Sequence, residues 1–384
     1  MPSSFRPNDE AAGVSELAGY RFIRYLGSGG FARVSLYVAP DGREVAIKSV
    51  SRAAHASGVN LGAVKELQAL NEFAHPNVLA CRAAIAQGDR VHLVLDFCAG
   101  DLRGIARISD ASLALPEAAI KGFFVQLLRA LAALHCARIM HRDVKPENIL
   151  LTAGGLVKLA DFGHATRIPL GGPGADAPPM HSRVVTLWYR APELLARARS
   201  HGAQVDMWAA GAVLAELFTR QPLFPATPAR PEDEDAAQLA AIARVLGTPV
   251  DPLTDAAATR AAYAAASLTA AEVDAMTAPL TAISTLGAAA TRARTRGLPT
   301  PLPLWPGATS LPGWLSIEPR TPTPWRALHP AFAAASVPAI DLLSRLVAYD
   351  PRLRLTAAEA LAHEWFSHEP RALEPEFLPK PPLS

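Results

Sequence analysis

The stretch IMHRDVKPENILL, residues 139 to 151, places His141, Arg142, Asp143, Lys145 and Asn148 close together, fenced by apolar residues on both sides. Buried charge is costly unless each group has a partner, so this is either a satisfied polar knot or a reaction centre. Asp143 is of the type that accepts a proton from an attacking hydroxyl and orients it. Lys145, two residues on, faces the same site and can neutralise negative charge that builds during a transfer. Asn148 and the more distant Asp161 offer hard oxygen ligands of the kind Mg²⁺ takes. Upstream, LGSGGFARV runs from Leu26 to Val34, and its Gly27 and Gly29 let backbone approach a phosphate more closely than a Cβ would allow. Lys48 can hold phosphate oxygens if a carboxylate fixes its ammonium, and Glu66 is that carboxylate.

Read in order, LGSGGFARV, VAIK ending at Lys48, Glu66, HRDVKPEN from His141 to Asn148, DFG from Asp161 to Gly163 and APE from Ala191 to Glu193 resemble the signature set of the protein kinases. The glycine-rich stretch alone would pass for an ordinary turn; Lys48 downstream argues against that. His141 reads as structural, holding backbone around Asp143. Arg142 reads as a tie between this loop and the segment after DFG. Cys98 reads as a neutral packing residue rather than a redox switch.

These residues need a scaffold. Residues 1 to 19 are polar and read as a flexible tail. From Tyr20, YRFIRYLG, ARVSLYVA and REVAIKSV read as strands, with a hairpin at Asp41-Gly42. VNLGAVKELQALNEFAHPN reads as a helix carrying Glu66, closed by Pro76. Strands follow around LACRAAIA and RVHLVLDF. Pro116 and Glu117 then open a helix with a broad apolar stripe, including Phe123, Phe124, Leu127 and Leu131. QVDMWAAGAVLAELFTR is apolar nearly all round, as a central helix would be. The expectation is an α+β, bilobal protein: a small β-rich N-lobe with one main helix over 20–97, a larger, mainly helical C-lobe over 98–366, and a C-terminal tail over 367–384. An Ala- and Pro-rich insertion, about 251–303, interrupts the C-lobe.

Half of the residues are hydrophobic and 19% are charged, which fits a globular chain. The net charge of +2 gives no electrostatic case for direct nucleic acid or membrane partners. Cys81, Cys98 and Cys136 show no metal or redox spacing and suit a reducing compartment. No secretory signal is evident in MPSSFRPNDE, and no apolar run is judged long enough to span a bilayer. The expected location is intracellular, nuclear or cytoplasmic.

Within the kinases, VVTLWYRAPELL (Val184 to Leu195) resembles the cyclin-dependent kinases, over Tyr20 to about Phe366 with the insertion unmatched. VNLGAVKEL, LVLDFCAGDL, VDMWAAGAVLAELF and WFSHEPRALEPEFLPKPP are most similar to the cyclin-H-partnered, transcription-factor-associated kinase that activates other cyclin-dependent kinases. The resemblance implies a Ser/Thr protein kinase that uses ATP and Mg²⁺ and is proline-directed, Val184 and Val185 shaping the pocket for proline, in cell-cycle or transcription control. The alternatives are a cyclin-dependent-like kinase outside the activating branch and a pseudokinase scaffold. ATP would lie against Leu26, Gly27, Ser28, Gly29, Gly30, Phe31, Ala32, Arg33 and Val34. Ala46, Lys48, Glu66, Asp96, Cys98 and Leu150 complete that site, with Leu26, Val34, Ala46 and Leu150 sandwiching adenine and the hinge backbone at Asp96 and Cys98 bonding to it. Asp143, Lys145 and Thr186 would be catalytic, and Asn148 and Asp161 would hold the metal. Glu193 would pair with Arg354. A cyclin would press the Glu66 helix inward, forming the Lys48–Glu66 pair. Several positions depart from the family pattern. Ala32 replaces the third loop glycine. His181 and Ser182 stand where a phosphorylated Thr is usual, while Lys65 and Thr166 weaken the basic pocket that leaves Arg142. The expectation is that activation-loop phosphorylation is dispensable and partner binding orders the segment instead; the alternative is a register shift in which Ser182 takes the phosphate and Arg167 rejoins the pocket.

Overall fold

The computed structural model describes residues 16–29, 32–51, 73–88, 90–107, 114–168, 187–198, 201–251, 305, 307–314 and 318–381. Six antiparallel strands make the first sheet: β1 (Glu16–Leu17), β2 (Tyr20–Gly29), β3 (Ala32–Val38), β4 (Glu44–Ser51), β5 (Cys81–Gln87) and β6 (Arg90–Asp96), in the order β1-β2-β3-β4-β6-β5. The β3–β4 turn forms because Gly42 takes φ 86°, a left-handed conformation that suits glycine, and its N–H donates to the Ala39 carbonyl at 2.9 Å. Leu17, Tyr37, Val45, Ile47 and Val94 form a small core on one face of this sheet. The polar tail expected over 1–19 therefore ends earlier than the sequence suggests. Leu17 is buried and belongs to the sheet, because a two-residue strand is too short to show a periodicity.

The second lobe is helical. β7 (Gly100–Asp101) leads into α1 (Leu102–Ala106), whose first turn is capped by Asp101 accepting from Gly104 N–H at 2.7 Å. α2 (Glu117–Cys136) is long and apolar enough to cross a membrane by length and composition, against the sequence expectation that no run qualifies. Here it is a core helix: Ile120, Phe123, Phe124, Leu127, Leu128 and Leu131 are fully buried. β8 (Ile139–Met140) pairs with β11 (Thr166–Arg167), and β9 (Ile149–Leu151) lies between β7 and β10 (Val157–Leu159). Then come α3 (Pro192–Leu195), α4 (Gln204–Thr219), α5 (Glu234–Leu246), α6 (Trp325–Leu328), α7 (Pro330–Ala334), α8 (Val337–Leu346) and α9 (Ala357–Leu361). α4 is buried from Val205 to Phe218, so its uniform apolarity reflects a central position.

Nearly all of the expected insertion falls outside the described residues, but its two flanks meet. Trp305 N–H donates to the Val250 carbonyl at 2.9 Å, and the buried Asp251 carboxylate accepts from Gly307 N–H at 3.1 Å and Thr309 Oγ1 at 2.7 Å. The C-lobe is thus closed beneath the insertion by its own hydrogen bonds.

Candidate active site

Asp143 sits in the loop between β8 and β9, almost fully buried. Its Oδ2 accepts from Lys145 Nζ and from Asn148 Nδ2, both at 2.8 Å. Asn148 Nδ2 also donates to the Asp143 carbonyl at 2.8 Å, which turns the amide oxygen of Asn148 away from this pair. His141 takes the structural part expected of it. Its Nε2 donates to the Ala160 carbonyl at 3.0 Å, its Nδ1 accepts from Asp143 N–H at 3.3 Å, and its ring meets Phe162 edge-on with centroids 4.8 Å apart. Those two bonds fix one tautomer.

The loop conformation has a cost. Arg142 has φ 65°, a left-handed value that for a non-glycine residue is unfavourable by about 1–3 kcal/mol. Asp206 of α4 offsets it: Oδ2 accepts from His141 N–H at 2.9 Å and Oδ1 from Arg142 N–H at 2.7 Å, while His135 Nε2 donates to Oδ2 at 2.9 Å. Burial alone would raise the Asp206 pKa, but the His135 hydrogen bond and charge, with His141 beside it, hold the carboxyl below its usual range. Asp206 is fully buried on a mostly apolar helix whose other buried carboxylate, Glu216, accepts from Tyr189. The sequence held that signal, a lone carboxylate in QVDMWAAG, and its role was not read from it. Arg142 Nε donates to the His164 carbonyl at 2.9 Å, tying the loop to the chain after DFG as expected.

The opposite wall is the first sheet. Lys48 of β4 lies between Val34 and Leu93 in register. Its Nζ is 3.2 Å from Asp161 Oδ1. Asp161 itself adopts a left-handed φ of 64° at the start of DFG. Burial would raise its pKa, but the Lys48 ammonium outweighs this and keeps the carboxyl below its ordinary value. Leu26, Val34, Cys98 and Leu150 are partly buried and pack against the main core, to which Ala46 belongs. Among the described residues, no atom lies within 4 Å of a Cβ placed on Gly27, which leaves room for a ligand beside the strand. Ser28 pairs with Arg33 and Gly29 with Ala32 at the tip of the hairpin. Strand alternation puts Arg33 on the face opposite Val34, where its guanidinium stacks over Tyr25 at 4.9 Å. The Arg33 side chain therefore points away from the site expected to hold ATP, and only its backbone belongs there. In the hinge, Asp96 N–H donates to the Ala80 carbonyl at 3.2 Å, and Ala99 N–H to the Leu151 carbonyl at 2.8 Å. Gly30, Phe31, Glu66, Thr186, Val184 and Val185 lie outside the described residues, as do Lys65, His181 and Ser182.

Cys98 carries a chemical consequence. Burial pushes its thiol up to about 12, with Asp96 adding to the rise and Lys158 opposing it. The thiolate is the nucleophile, so at pH 8 iodoacetamide should alkylate Cys98 far more slowly than the exposed Cys136. Timed peptide mass spectrometry checks this; equal rates would show that Cys98 is not shielded.

Beneath the cleft, Arg354 forms a bidentate pair with Glu193 at 2.6 and 2.8 Å, as the resemblance implies. Its other donors reach the Ala348, Gln204 and Tyr349 carbonyls, and it stacks on Trp208 at 5.0 Å. Every donor of this buried cation is matched, which is what such a pair requires.

The protein kinase domain model matches residues 20–366. The chain belongs to the protein kinase family. Cyclin-dependent kinase 7 of Xenopus laevis is 34% identical over 371 residues, covering 95% of this kinase and 86% of that protein. Cyclin-dependent kinase 7 of Caenorhabditis elegans is 33% identical, covering 94% and 91%. The serine/threonine-protein kinase crk1 of Schizosaccharomyces pombe is 30% identical, covering 93% and 87%. Among solved structures, the CAK complex from Chaetomium thermophilum bound to ATP-γ-S superposes with a TM-score of 0.71 at 31% identity, covering 94% of this kinase and 95% of that chain. This is an ATP-dependent Ser/Thr kinase of the cyclin-dependent type, similar to cyclin-dependent kinase 7 and to the kinase of the CAK complex.

Proposed function

We propose that this kinase moves the γ-phosphoryl group of ATP to Ser or Thr followed by proline, in partnership with a cyclin and within a transcription-factor-associated assembly, in the nucleus or cytoplasm. The convergence of Lys48, Asp161, Asp143, Lys145 and Asn148 on one cleft carries the reading. Asp143 accepts the proton of the attacking hydroxyl through Oδ1, because Oδ2 is occupied by Lys145 and Asn148. Lys145 then balances charge on the transferring group. Lys48 orients the α- and β-phosphates from β4, with Glu66 to steady it. The backbone from Gly27 to Gly29 covers the phosphates, and Leu26, Val34, Ala46 and Leu150 enclose adenine against the Asp96–Cys98 hinge. The family pattern assigns Thr186 the task of linking Asp143 and Lys145.

The donor set also fits Mg²⁺. Asp161 is held ionised and keeps Oδ2 outside its bond to Lys48, and the Asn148 oxygen is turned away from Asp143. Few protein ligands are needed, since Mg²⁺ in such sites draws the rest from phosphate and water. When bound, Mg²⁺ would neutralise phosphate charge between these two side chains.

Partner dependence supplies the test. Transfer to a Ser-Pro or Thr-Pro peptide should be slow for the isolated chain and rise steeply when the co-purified cyclin is added back. Full activity of a rigorously purified monomer would remove the cyclin from this reading. No transfer by the complex would remove the assigned chemistry.

A further inference from the structure

After α9 the chain does not leave the surface. It runs back along α2 as a strap that ends against the hinge. The fully buried Lys121 of α2 donates to the His368 and Pro370 carbonyls, both at 2.8 Å, and Leu373 N–H donates to the Ala118 carbonyl at 3.0 Å. Leu378 is buried, and so is Pro381. Three glycines from three separate elements face this strap. A Cβ on Gly122 would lie 2.5 Å from the Leu373 oxygen and 2.7 Å from Leu378 Cδ2. One on Gly155 would overlap the Pro375 carbonyl. One on Gly100 would overlap Pro381, whose Cγ would be 2.8 Å away.

Gly100 is the informative member. It has no left-handed φ, so its backbone does not demand glycine. What demands it is the ring of Pro381. Gly100 lies in β7, two residues beyond Cys98, and pairs with Leu151, while its neighbour Asp101 pairs with Leu150. A glycine has no side chain to pack behind the strand, and the proline ring fills that place. Packed interiors transmit small displacements because they have few voids to absorb them.

We propose that the strap Leu373–Pro381 is a positioning element of the nucleotide site, setting the hinge against Leu150 through the contact of Pro381 with Gly100. It rests on the reading of this cleft as an ATP site. Pro381 does not touch nucleotide; it acts through β7 and β9.

The test uses full-length protein with Gly100→Ala, Pro381→Gly and the double variant. Mg-ATP affinity is measured by calorimetry, KM and kcat are measured in the cyclin complex, and hydrogen exchange is followed at Ala99 N–H. Each single change should weaken ATP binding and raise its KM by about three- to tenfold, with kcat at saturating ATP near wild type. Ala99 N–H should exchange faster. The double variant should be no worse than either single, because both act on the same contact, one by overlap with the Pro381 ring and the other by removing that ring. Unchanged ATP affinity in both singles, or effects that multiply in the double, would overturn the proposal. A fall in thermal stability without the split between KM and kcat would reduce the strap to surface packing and also overturn it. Should Gly100→Ala fail to fold, Pro381→Gly and Pro381→Ala, which both remove the ring and of which only the first adds the backbone freedom of glycine, decide the question together. If wild-type protein bound no ATP, the ATP reading itself would fall; exchange at Ala99 would still report whether Pro381 clamps the hinge.

Discussion

Replacing Asp143 with asparagine will lower kcat by roughly 10²–10⁴-fold, the range that a positioned general base contributes, while ATP affinity stays close to wild type. The geometry separates the two effects. Asp143 Oδ2 accepts from Lys145 and Asn148, each at 2.8 Å. An asparagine can keep both bonds by turning its amide oxygen to these donors. That places the NH₂ where Oδ1 stood, and an NH₂ group cannot take a proton from a hydroxyl. The loop therefore stays folded and loses its base. Lys48, Asp161, Leu26, Val34 and Leu150 are untouched, so nucleotide binding persists. Steady-state kinetics on a peptide substrate, beside a nucleotide titration of the same preparation, reads both quantities. Near-normal turnover would show that Asp143 is not the base; lost ATP binding would show that the loop had collapsed instead.

The legibility of this site in the sequence follows from what its chemistry requires. Phosphoryl transfer fixes residue types at short spacings, as in His141 to Asn148 or Asp161 to Gly163, and such runs can be recognised before any fold is known. The lobes were legible for a similar reason. The Asp41-Gly42 turn and the apolar stripe of α2 are local patterns, and each forms the element it signals. What escaped is held by contacts between distant positions. Asp206 reads as one polar residue on a buried helix until the backbone of His141 and Arg142 is seen against it. The strap reads as a proline-rich ending until Gly100, Gly122 and Gly155 are seen to make room for it. Arg33 shows the same limit on a smaller scale, since the glycine-rich motif gives its place in the hairpin and the face it points to depends on β3 register. Leu17 falls in a stretch too short to carry a period, and α2 has a membrane-like composition because a large C-lobe buries it.

The second large effect is expected at Asp206, which touches no reacting group. Asp206→Asn should destabilise the protein by about 3–5 kcal/mol, the range for breaking a buried charged network. The count of donors gives the reason. Three N–H groups, from His135, His141 and Arg142, point at the two carboxylate oxygens. An asparagine keeps one accepting oxygen and sets an NH₂ against the remaining donor or donors, leaving them buried and unmatched. His135→Ala, which removes a single donor and leaves both backbone bonds, should cost less. The pH dependence follows from the same network. The folded-state pKa of Asp206 lies below its unfolded value, so its contribution is fully present above the ordinary carboxylate range. It is lost as pH falls through that range toward the depressed folded pKa, and wild type should lose more stability than Asp206→Asn over this interval. Catalysis should suffer together with stability, because the left-handed Arg142 precedes Asp143 directly and Asp206 is what holds it there. Urea denaturation at neutral and acidic pH, with kcat measured at low temperature where the variant remains folded, tests all three statements. A wild-type midpoint for Asp206→Asn would show that the loop is held by other contacts. A normal midpoint shift with full kcat would show that Asp206 supports the lobe without setting the position of Asp143.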